Sequence, residues 1–579
     1  MPNMIQNAKD SISQILNDAY QKAAEKGELP AGAALSGTVE IPKDSANGDF
    51  AANHAMAGAK ALHMAPRKIA ETLIANADLA DTWFASVEVA GPGFINFRLA
   101  DRWYADVLRA VTGEGADYGR SDIGHGQKVM VEFVSANPTG PMHRGNARGG
   151  VLGDALASVL SRAGYQVWRE FYVNDAGNQI EKFANSIDAR YQQLLLGEEQ
   201  VAFPEDGYHG DDIKDLARLF YEANGDKYLT VPVTERHQAM AEFGLQRNIP
   251  KMQEDLRRYG IEYDQWFFES ELHESGYVAE SVQKLTDRGY TYEKDGALWL
   301  KTSQILTEQL LKSGKKQEEI DKLELKDDVL RRANGFYTYF AADIAYHRNK
   351  LEKRGFDKAI NVWGADHHGH VARLKGAMDA LGLDGEHRLD IVLMQLVKLT
   401  RNGEVVRMSK RTGKAISLTD LLDEIPVDAA RYFFNSRPES PVEFDLELAI
   451  RQDSENPVYY VQYAHARICT LLAALAAEGH TVPANADAAL LSTPEEKELI
   501  KQLAALPEEI RLAARDYDPS RINRYVTELA ARFHRFYTVC RIKGAESDVQ
   551  AARLLLADCV RRVIAVSLGI IGVTAPEKM

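Results

Sequence analysis

One stretch of sequence decides the fold of this chain: KVMVEFVS at residues 128–135, which runs into the loop ANPTGPMHRGN at 136–146. The first part is a short apolar run rich in β-branched residues, and it predicts a buried strand. Residues 147–163 follow a helical pattern, and residues 165–173 again favour a strand. Strand, loop, helix and strand in this order form a βαβ unit of a parallel sheet, with the loop at the carboxyl end of its first strand.

The rest of the chain is organised around this unit. Strand-like residues 359–363 resume the sheet, and Asn402-Gly403 is typical of a two-residue hairpin turn. After about residue 450 the pattern is helical throughout. We therefore predict an α/β multidomain protein whose parts are an N-terminal α+β domain (1–115), a first half of a parallel-sheet core (116–190), a mostly helical insertion (191–335), a second half of the core (336–450) and an all-α C-terminal domain (451–579).

Composition restricts the class of protein. The 579 residues carry a formal charge of −15, which opposes long-range attraction to nucleic acid but does not exclude local basic patches. Cys469, Cys540 and Cys559 lack CxxC spacing, so neither a disulfide framework nor a zinc site is predicted. The N-terminus lacks the pattern of a signal peptide, and the longest apolar run, 563–573, is too short to cross a membrane. We expect a cytoplasmic protein without a membrane segment.

The loop after the first strand is the first candidate site. His143 and Asn146 lie three residues apart at a predicted helix start, where backbone N–H groups and the helix dipole attract an anion. Two donors there suit a phosphate group. A strand-to-helix turn with a capping Asn explains the same spacing equally well.

The second candidate is WGADHHGH at residues 363–370, at the carboxyl end of another strand. Asp366 could accept hydrogen bonds from ribose hydroxyls, and Gly364 would let the sugar approach the backbone. A metal site at His367, His368 and His370 is the alternative, but these three do not share a helical face. We therefore predict no metal ligands here.

The third candidate is RMSKRTGK at residues 407–414, which holds four cations in eight positions after the hairpin. Lys410 is a compact ammonium on a flexible stem and can follow charge as it develops on a phosphate. On charge alone, a solvated basic loop is the simpler interpretation.

Taken in order, these three loops resemble the nucleotide-binding core of a class I aminoacyl-tRNA synthetase, with the first similar to the HIGH signature and the third to the KMSKS signature. Flanking segments narrow the resemblance to arginyl-tRNA synthetases over essentially the whole chain. These segments are SANPTGPMH at 135–143, FYVNDAGNQ at 171–179, DQWF at 264–267, GALW at 296–299, YYVQYAHAR at 459–467 and APEKM at 575–579.

The resemblance implies a Rossmann-like catalytic core that charges tRNA(Arg) with L-arginine through an arginyl-adenylate. It implies ATP with Mg²⁺ as the substrate complex, no tightly bound cofactor, and activation of arginine only when tRNA is bound. We expect a monomer.

Site residues carry over by position. The resemblance implies catalytic roles for His143, Asn146 and Lys410, ATP contacts by these three with Gly145, Gly364, Asp366 and Met408, and arginine contacts by Asn137, Tyr339, Asp343 and Asp295. Tyr339 and Asp343 are four apart and share a helical face, although a core Tyr and a solvated Asp would also fit. The sequence departs from the signatures at Asn146, where the family has His, and at Arg407 and Arg411.

The predicted tRNA contacts lie at the two ends of the chain. In the N-terminal domain they are Phe94 and Asn96, an aromatic and an amide suited to an unpaired base. In the C-terminal domain they are Tyr460, Tyr463 and an arginine stripe on one predicted helix, made of Arg521, Arg524, Arg532 and Arg535. A buried strand Phe, core tyrosines and a solvated helix face are the alternatives.

Two other functions remain open at this stage. A class I synthetase for glutamate or cysteine is disfavoured by the set Asn137, Tyr339 and Asp343. A non-catalytic tRNA-binding paralogue gains modest support from Asn146 and the altered third loop, against the retained His143 and Lys410.

Overall fold

The computed structural model of the chain describes residues 3–395, 397–406, 416–436 and 442–579. Its N-terminal part is an α+β unit built on an antiparallel sheet with strand order β1-β2-β4-β3. The apolar stripe of the first helix is buried, as the spacing of Ile5, Ile12 and Leu16 predicts. The elements are α1 (Met4–Glu25), β1 (Val39–Glu40), β2 (Phe50–Ala52), α2 (His54–Leu62), α3 (Pro66–Asn76), β3 (Phe84–Ala90), β4 (Phe94–Leu99) and α4 (Asp101–Glu114).

A parallel sheet of five strands forms the core of the central region, in the order β12-β11-β5-β6-β7. The chain enters this sheet at its middle strand, β5. It then adds β6 and β7 on one side of β5, and later β11 and β12 on the other side. Strands β5 and β11 therefore flank a topological switch point, where loops diverge and leave a crevice. The elements up to β7 are β5 (Lys128–Glu132), α5 (Arg144–Arg162), β6 (Gln166–Val173), α6 (Asn178–Leu196), α7 (Asp211–Asn224), α8 (Val233–Arg258) and β7 (Gln265–Phe268).

Residues 191–335, predicted as a mostly helical insertion, also contain sheet structure. Strand β7 lies in this range and completes the edge of the core sheet, where Trp266 stacks on Phe171 of β6 with ring centroids 4.1 Å apart. A separate antiparallel sheet of three strands, β10-β9-β8, follows. Because four-residue strands leave little periodicity to read, the pattern alone did not show how these strands pair into sheets.

The remaining elements of this region lead from the insertion back into the core. They are α9 (Glu269–Glu274), α10 (Tyr277–Asp287), β8 (Thr291–Lys294), β9 (Ala297–Leu300), α11 (Thr302–Lys312), α12 (Gln317–Asp321), β10 (Asp328–Arg331), α13 (Tyr339–Arg348), β11 (Lys358–Gly364), α14 (His368–Ala380), α15 (Gly385–Arg388) and β12 (Leu389–Met394). A π-helical turn, Asn349–Lys353, extends α13.

A small sheet of order β14-β13-β15 follows the core. The predicted hairpin is confirmed: Thr400 pairs with Val405, and Asn402 and Gly403 both have positive φ, at 51° and 81°. The elements are β13 (Val397–Arg401), β14 (Glu404–Val405), α16 (Leu418–Glu424), α17 (Val427–Phe434), β15 (Val442–Asp445) and α18 (Leu446–Ile450).

The C-terminal part is helical, as predicted. Its long helices are α19 (Pro457–Ala477), α20 (Pro494–Asp516), α21 (Ser520–Val539) and α22 (Ser547–Ile570). Tyr118, in the linker after α4, is fully buried against this bundle and donates its hydroxyl to the carbonyl of Leu503. Among the described residues, no helix has the length and apolar character that crossing a bilayer requires.

Candidate active site

The largest concave feature at the switch point is a cavity of about 990 Å³, near the upper end of the usual range for ligand pockets. Loops that follow β5, β6 and β11 form its walls together with α13 and the segment before α7. Its lining includes Glu132, Ser135, Asn137, His143, Gly145, Asn146, Tyr172, Asn174, His209, Asp343, His347, Trp363, Gly364, Asp366 and His370.

The structure therefore brings together seven of the residues that the sequence predicted: Asn137, His143, Gly145, Asn146, Asp343, Gly364 and Asp366. Tyr339 is 40% exposed and lies beside the start of α6, where its hydroxyl accepts a hydrogen bond from the Gln179 backbone at 3.2 Å. Asp295 sits in the turn between β8 and β9 with φ of 51°, and it does not line this cavity.

His143 caps the N-terminus of α5 with its side chain. Its Nδ1 accepts the backbone N–H of Gly145 at 3.0 Å, which leaves the ring proton of the neutral form on Nε2. Burial, and then the charge of Arg144, lowers the pKa of His143. A neutral ring that donates from Nε2 is the form suited to binding a phosphate oxygen.

Gly145 and Asn146 complete this cap. A Cβ atom at Gly145 would lie 2.9 Å from the His143 ring, so any larger residue would disturb the cap. The side-chain oxygen of Asn146 accepts the backbone N–H of His143 at 3.0 Å. Asn146 thus uses its oxygen for capping, as the alternative interpretation held, while it still lines the cavity.

A strained turn at the end of β5 shapes the cavity floor. Val134 and Ser135 both have positive φ, at 69° and 41°, a conformation that β-branched residues rarely adopt. Ser135 Oγ donates to Glu132 at 2.9 Å and accepts from the Tyr172 backbone N–H at 3.1 Å. Strain of this kind persists where surrounding contacts impose it, often at functional sites.

Sequence reasoning missed a buried polar network beneath the cavity. Lys350 is fully buried, and its ammonium forms an ion pair with Glu132 and donates to Asn361 at 3.1 Å. The Asn361 amide reaches His347 Nε2 at 2.7 Å. Burial, and then the Lys350 charge, holds the pKa of His347 well below its usual range. A signal for this network was present: a glutamate in an apolar strand has to be paired when buried.

Asp366 and the neighbouring histidines have an open setting. The Asp366 side chain is 80% exposed, and His367 lies 3.7 Å from it. Within the described ranges, no group of three or more His, Cys, Asp or Glu side chains could hold a metal ion. Asp366 thus presents an exposed carboxylate beside Gly364, at the carboxyl end of β11.

Met408, Lys410 and the whole stretch 407–414 lie outside the described residues. The chain that follows is anchored beside the first loop. Ser417 pairs with His143 in an antiparallel bridge, and Leu418 N–H donates to the Met142 carbonyl at 2.8 Å. The described chain therefore resumes at residue 416 next to the helix cap of the first loop.

Comparison with known proteins agrees with this geometry. Three family descriptions match in order: Arginyl tRNA synthetase N terminal domain at residues 6–99, tRNA synthetases class I (R), catalytic domain at 109–442, and DALR anticodon binding domain at 461–579. The arginine–tRNA ligase of Acetivibrio thermocellus is 52% identical over 582 aligned residues, with 100% of both chains covered. That of Caldanaerobacter subterraneus subsp. tengcongensis is 53% identical with the same coverage. The chain belongs to the arginyl-tRNA synthetase family.

A solved arginyl-tRNA synthetase from Thermus thermophilus has the same fold, with a TM-score of 0.73 at 21% identity over 99% of this chain and 100% of that one. The predicted fold class is therefore confirmed at the level of the arginyl-tRNA synthetase family, including the parallel-sheet core between two outer domains.

The N-terminal residues that the arginyl-tRNA synthetase resemblance pointed to differ in access. Phe94, at the start of β4, is 38% exposed, whereas Asn96 is only 3% exposed. Asn96 pairs with Ala51 and Glu88 in the middle of the sheet. Phe94 is thus available for stacking on a base, and the Asn96 side chain is covered.

In the C-terminal domain, aromatic rings gather on α19 and α21. Tyr463 is 36% exposed, stacks on Tyr459 at 6.1 Å and lies 6.1 Å from the His534 ring. Tyr460 contacts the same His534 ring at 4.7 Å. The Arg467 guanidinium lies 5.0 Å above Tyr463. This group, Tyr459, Tyr460, Tyr463, Arg467 and His534, is called the aromatic stack below.

The four arginines of the stripe on α21 all lie close to acidic side chains in the structure. Each arginine has an acidic neighbour, most of them on α20: Arg521 lies 3.5 Å from Glu509 and 3.2 Å from Asp516, Arg524 lies 2.9 Å from Asp518, Arg532 lies 3.1 Å from Glu498 and 2.8 Å from Glu528, and Arg535 lies 3.9 Å from Glu495. The pattern of one helix does not show these acids, because most of them lie on the neighbouring helix.

Proposed function

We propose that this chain is an arginine–tRNA ligase that converts ATP, L-arginine and tRNA(Arg) into L-arginyl-tRNA(Arg), AMP and diphosphate. The observation that carries the proposal is the convergence of the His143 cap, Asn137, Asp343 and Asp366 on one cavity at the switch point, in a chain whose full-length relatives bear this activity in their names.

The first step forms arginyl-adenylate. A carboxylate oxygen of arginine attacks the α-phosphorus of ATP in line, the bond to the bridging oxygen breaks, and diphosphate leaves. The Nε2 proton of His143 and the positive end of the α5 dipole would stabilise the negative charge that grows on the α-phosphate. Mg²⁺ enters on the ATP phosphates and supplies charge neutralisation.

The second step transfers the arginyl group to tRNA. A hydroxyl of the terminal ribose attacks the activated carbonyl, and AMP leaves with the electron pair. Neither step needs a covalent bond to the protein, so positioning and electrostatics supply the catalysis.

Arginine is selected by acceptors for its planar guanidinium fork. Asp343 presents a carboxylate at the cavity wall, 34% exposed, and Asn137 lines the same cavity, where we propose that it contacts the α-amino end. Tyr339, at the rim, borders the same entrance. Lys410 and Met408, which lie outside the described residues, are proposed to act on the phosphates. The monomeric state and a cytoplasmic location remain predictions.

The test is exchange of labelled diphosphate into ATP with each of the twenty amino acids, with and without tRNA. We expect exchange with arginine alone, and only when tRNA(Arg) is present. Exchange with glutamate or cysteine and not with arginine would show that one of these amino acids is the substrate. No exchange under any condition, with tRNA still bound, would leave the non-catalytic paralogue as the answer.

A further inference from the structure

The carboxylate proposed to receive the arginine side chain already has a partner in the protein. His370, on the first turn of α14, contacts Asp343 Oδ2 through Nε2 at 3.0 Å. Both side chains are partly accessible, at 34% for Asp343 and 18% for His370, and both line the cavity. The imidazole thus holds one carboxylate oxygen of a side chain that is one third exposed.

The other nitrogen of His370 is fixed by an arginine. Arg373 Nη2 lies 3.3 Å from His370 Nδ1, and a guanidinium can only donate. Nδ1 therefore accepts, and the ring proton resides on Nε2, where it is donated to Asp343. In this arrangement the imidazole is neutral, and its orientation is set from both sides.

Arg373 is held in turn by a carboxylate of the insertion. Its Nη1 donates to Asp328 on β10 at 2.6 Å, and Thr302 Oγ1 donates to the second Asp328 oxygen at 2.8 Å. The series from Asp328 through Arg373 and His370 to Asp343 links the small β10-β9-β8 sheet to the cavity wall. We call it the Asp343 relay.

The two acids of the site, buried Glu132 and partly exposed Asp343, have different partners. Glu132 is neutralised directly by the Lys350 ammonium. Asp343 instead receives a hydrogen bond from a neutral ring, so its negative charge is oriented but not cancelled. Since a guanidinium gains most from a carboxylate that is fixed in direction and still charged, Asp343 is the better receptor of the two.

We propose that His370 is a positioning and specificity-determining residue, which, held as the Nε2–H tautomer by Arg373, orients the Asp343 carboxylate for the guanidinium fork of arginine. The inference rests on the proposed function. It has a consequence for selectivity: a planar fork needs a carboxylate at a set angle, whereas the compact ammonium of lysine does not. Loss of the Asp343 relay should therefore weaken the binding of arginine more than the binding of lysine.

The first variant is His370→Phe, which removes the donor and keeps a ring. The site tolerates it sterically, because His370 already lies between the Phe340 and Trp363 rings, at centroid distances of 5.3 and 5.6 Å. We expect the KM for arginine to rise about 10- to 100-fold, as for a lost hydrogen bond to a charged group, while the KM for ATP and kcat stay within about twofold.

The matched control is His370→Gln, whose terminal amide can again donate toward Asp343. It should recover most of the affinity for arginine, and a merely structural role for the ring would not predict this rescue. In His370→Phe the ratio of lysine to arginine in diphosphate exchange should rise, and in His370→Gln it should return toward the value of the unmodified protein.

Arg373→Met provides an independent probe, because it frees Nδ1 without touching the cavity wall. We expect a smaller rise in the KM for arginine, about 3- to 10-fold, again without a change in the KM for ATP. Thermal midpoints of all three variants serve to confirm that they fold.

The outcomes separate this inference from the proposed function. If the unmodified protein activates no arginine, the proposed function fails. If it does, and folded His370→Phe shows an unchanged KM for arginine, or an equal loss in kcat and in the KM for ATP, then His370 does not position Asp343. Failure of His370→Gln to restore affinity would likewise overturn the donor role.

Discussion

Charged side chains are concentrated both around the cavity at the sheet switch point and on the outer face of α21, but the two groups differ in burial. In the cavity, Lys350 and Glu132 are removed from water and form a pair with side chains that are 0% and 7% exposed. On α21, Arg532 and its partner Glu528 remain 32% and 52% exposed. One set of charges is held in place by burial, and the other is merely balanced at the surface.

This difference follows from the geometry of the two elements. Parallel strands end at one edge, so polar residues from distant parts of the chain converge there and must satisfy one another. A helix on a bundle surface presents its charges to solvent, where each pair contributes little. We therefore expect changes in the first region to be costly and changes in the second to be nearly silent, except where aromatic rings offer a stacking surface.

The largest effect is expected from breaking the buried pair. Lys350→Met leaves Glu132 as an unpaired buried carboxylate and should reduce the stability of the catalytic region by about 3–5 kcal/mol. Chemical denaturation followed by tryptophan fluorescence measures it. The control is Lys398→Met, which removes an exposed pair with Glu443 (49% and 66% exposed) and should cost less than about 1 kcal/mol. Equal effects of the two changes would remove the contrast between the regions.

The next effect concerns the transition state. Lys410→Ala should lower the rate of adenylate formation by about 2–4 kcal/mol, or roughly 30- to 1000-fold, with little change in arginine binding. Diphosphate exchange at saturating arginine, together with the KM for arginine, measures it. Near-normal exchange by this variant would mean that Lys410 does not stabilise the phosphate charge in the transition state.

A smaller effect should separate the aromatic stack from the arginine stripe. Tyr463→Ala removes a partly exposed ring and should weaken tRNA binding by about 1–3 kcal/mol, the usual range for stacking on a base. Arg532→Ala is the comparison on the neighbouring helix, and we expect it to change binding by less than about 1 kcal/mol because that guanidinium is already paired. Filter binding at two salt concentrations tests both. The opposite ranking would restore the arginine stripe as the main contact.

The smallest effect is a pH dependence of the helix cap. Burial lowers the pKa of His143, so the unfolded chain binds the proton more readily than the folded chain. The stabilising contribution is therefore complete above the unfolded pKa of about 6.5 and is lost as the pH falls toward the lower folded value. Protonation of Nδ1 also removes the acceptor for the Gly145 N–H.

His143→Asn keeps a good cap that does not titrate. Between pH 8 and pH 5 the unmodified protein should lose about 1 kcal/mol more stability than this variant, a difference comparable to the value of an N-cap. Parallel denaturation curves at both pH values measure it. A constant difference between the two proteins across this range would show that His143 does not titrate with folding.

Much of the architecture could be read from local patterns. The apolar run at 128–135 followed by a Pro/Gly loop predicts the first βα unit, and Asn402-Gly403 predicts the hairpin, because both depend on contacts between near neighbours. The pairing of the four-residue strands β7 to β10 could not be predicted in this way. Their pairing is decided by partners elsewhere, such as the Phe171 ring beneath Trp266.

The candidate site likewise combines contacts between sequence neighbours and contacts between residues that are distant in sequence. His143, Gly145 and Asn146 form their cap within four positions, and the sequence shows them together. Glu132 and Lys350 are 218 positions apart, and His370 reaches Asp343 across 27. For Glu132 a signal existed in the charged residue of an apolar strand, whereas His370 looked like one of three similar histidines.

The first βαβ unit and the Asn402-Gly403 hairpin could thus be predicted from the chain alone, because both rest on short-range hydrogen bonding and periodicity, and the ordered motifs indicated the family. The contacts of the folded chain were needed to show which carboxylate is paired with a buried ammonium, which arginines have acidic partners and which aromatic rings remain exposed. The reason is physical: charge balance and burial are properties of the space around a side chain, and neighbours distant in sequence fill that space.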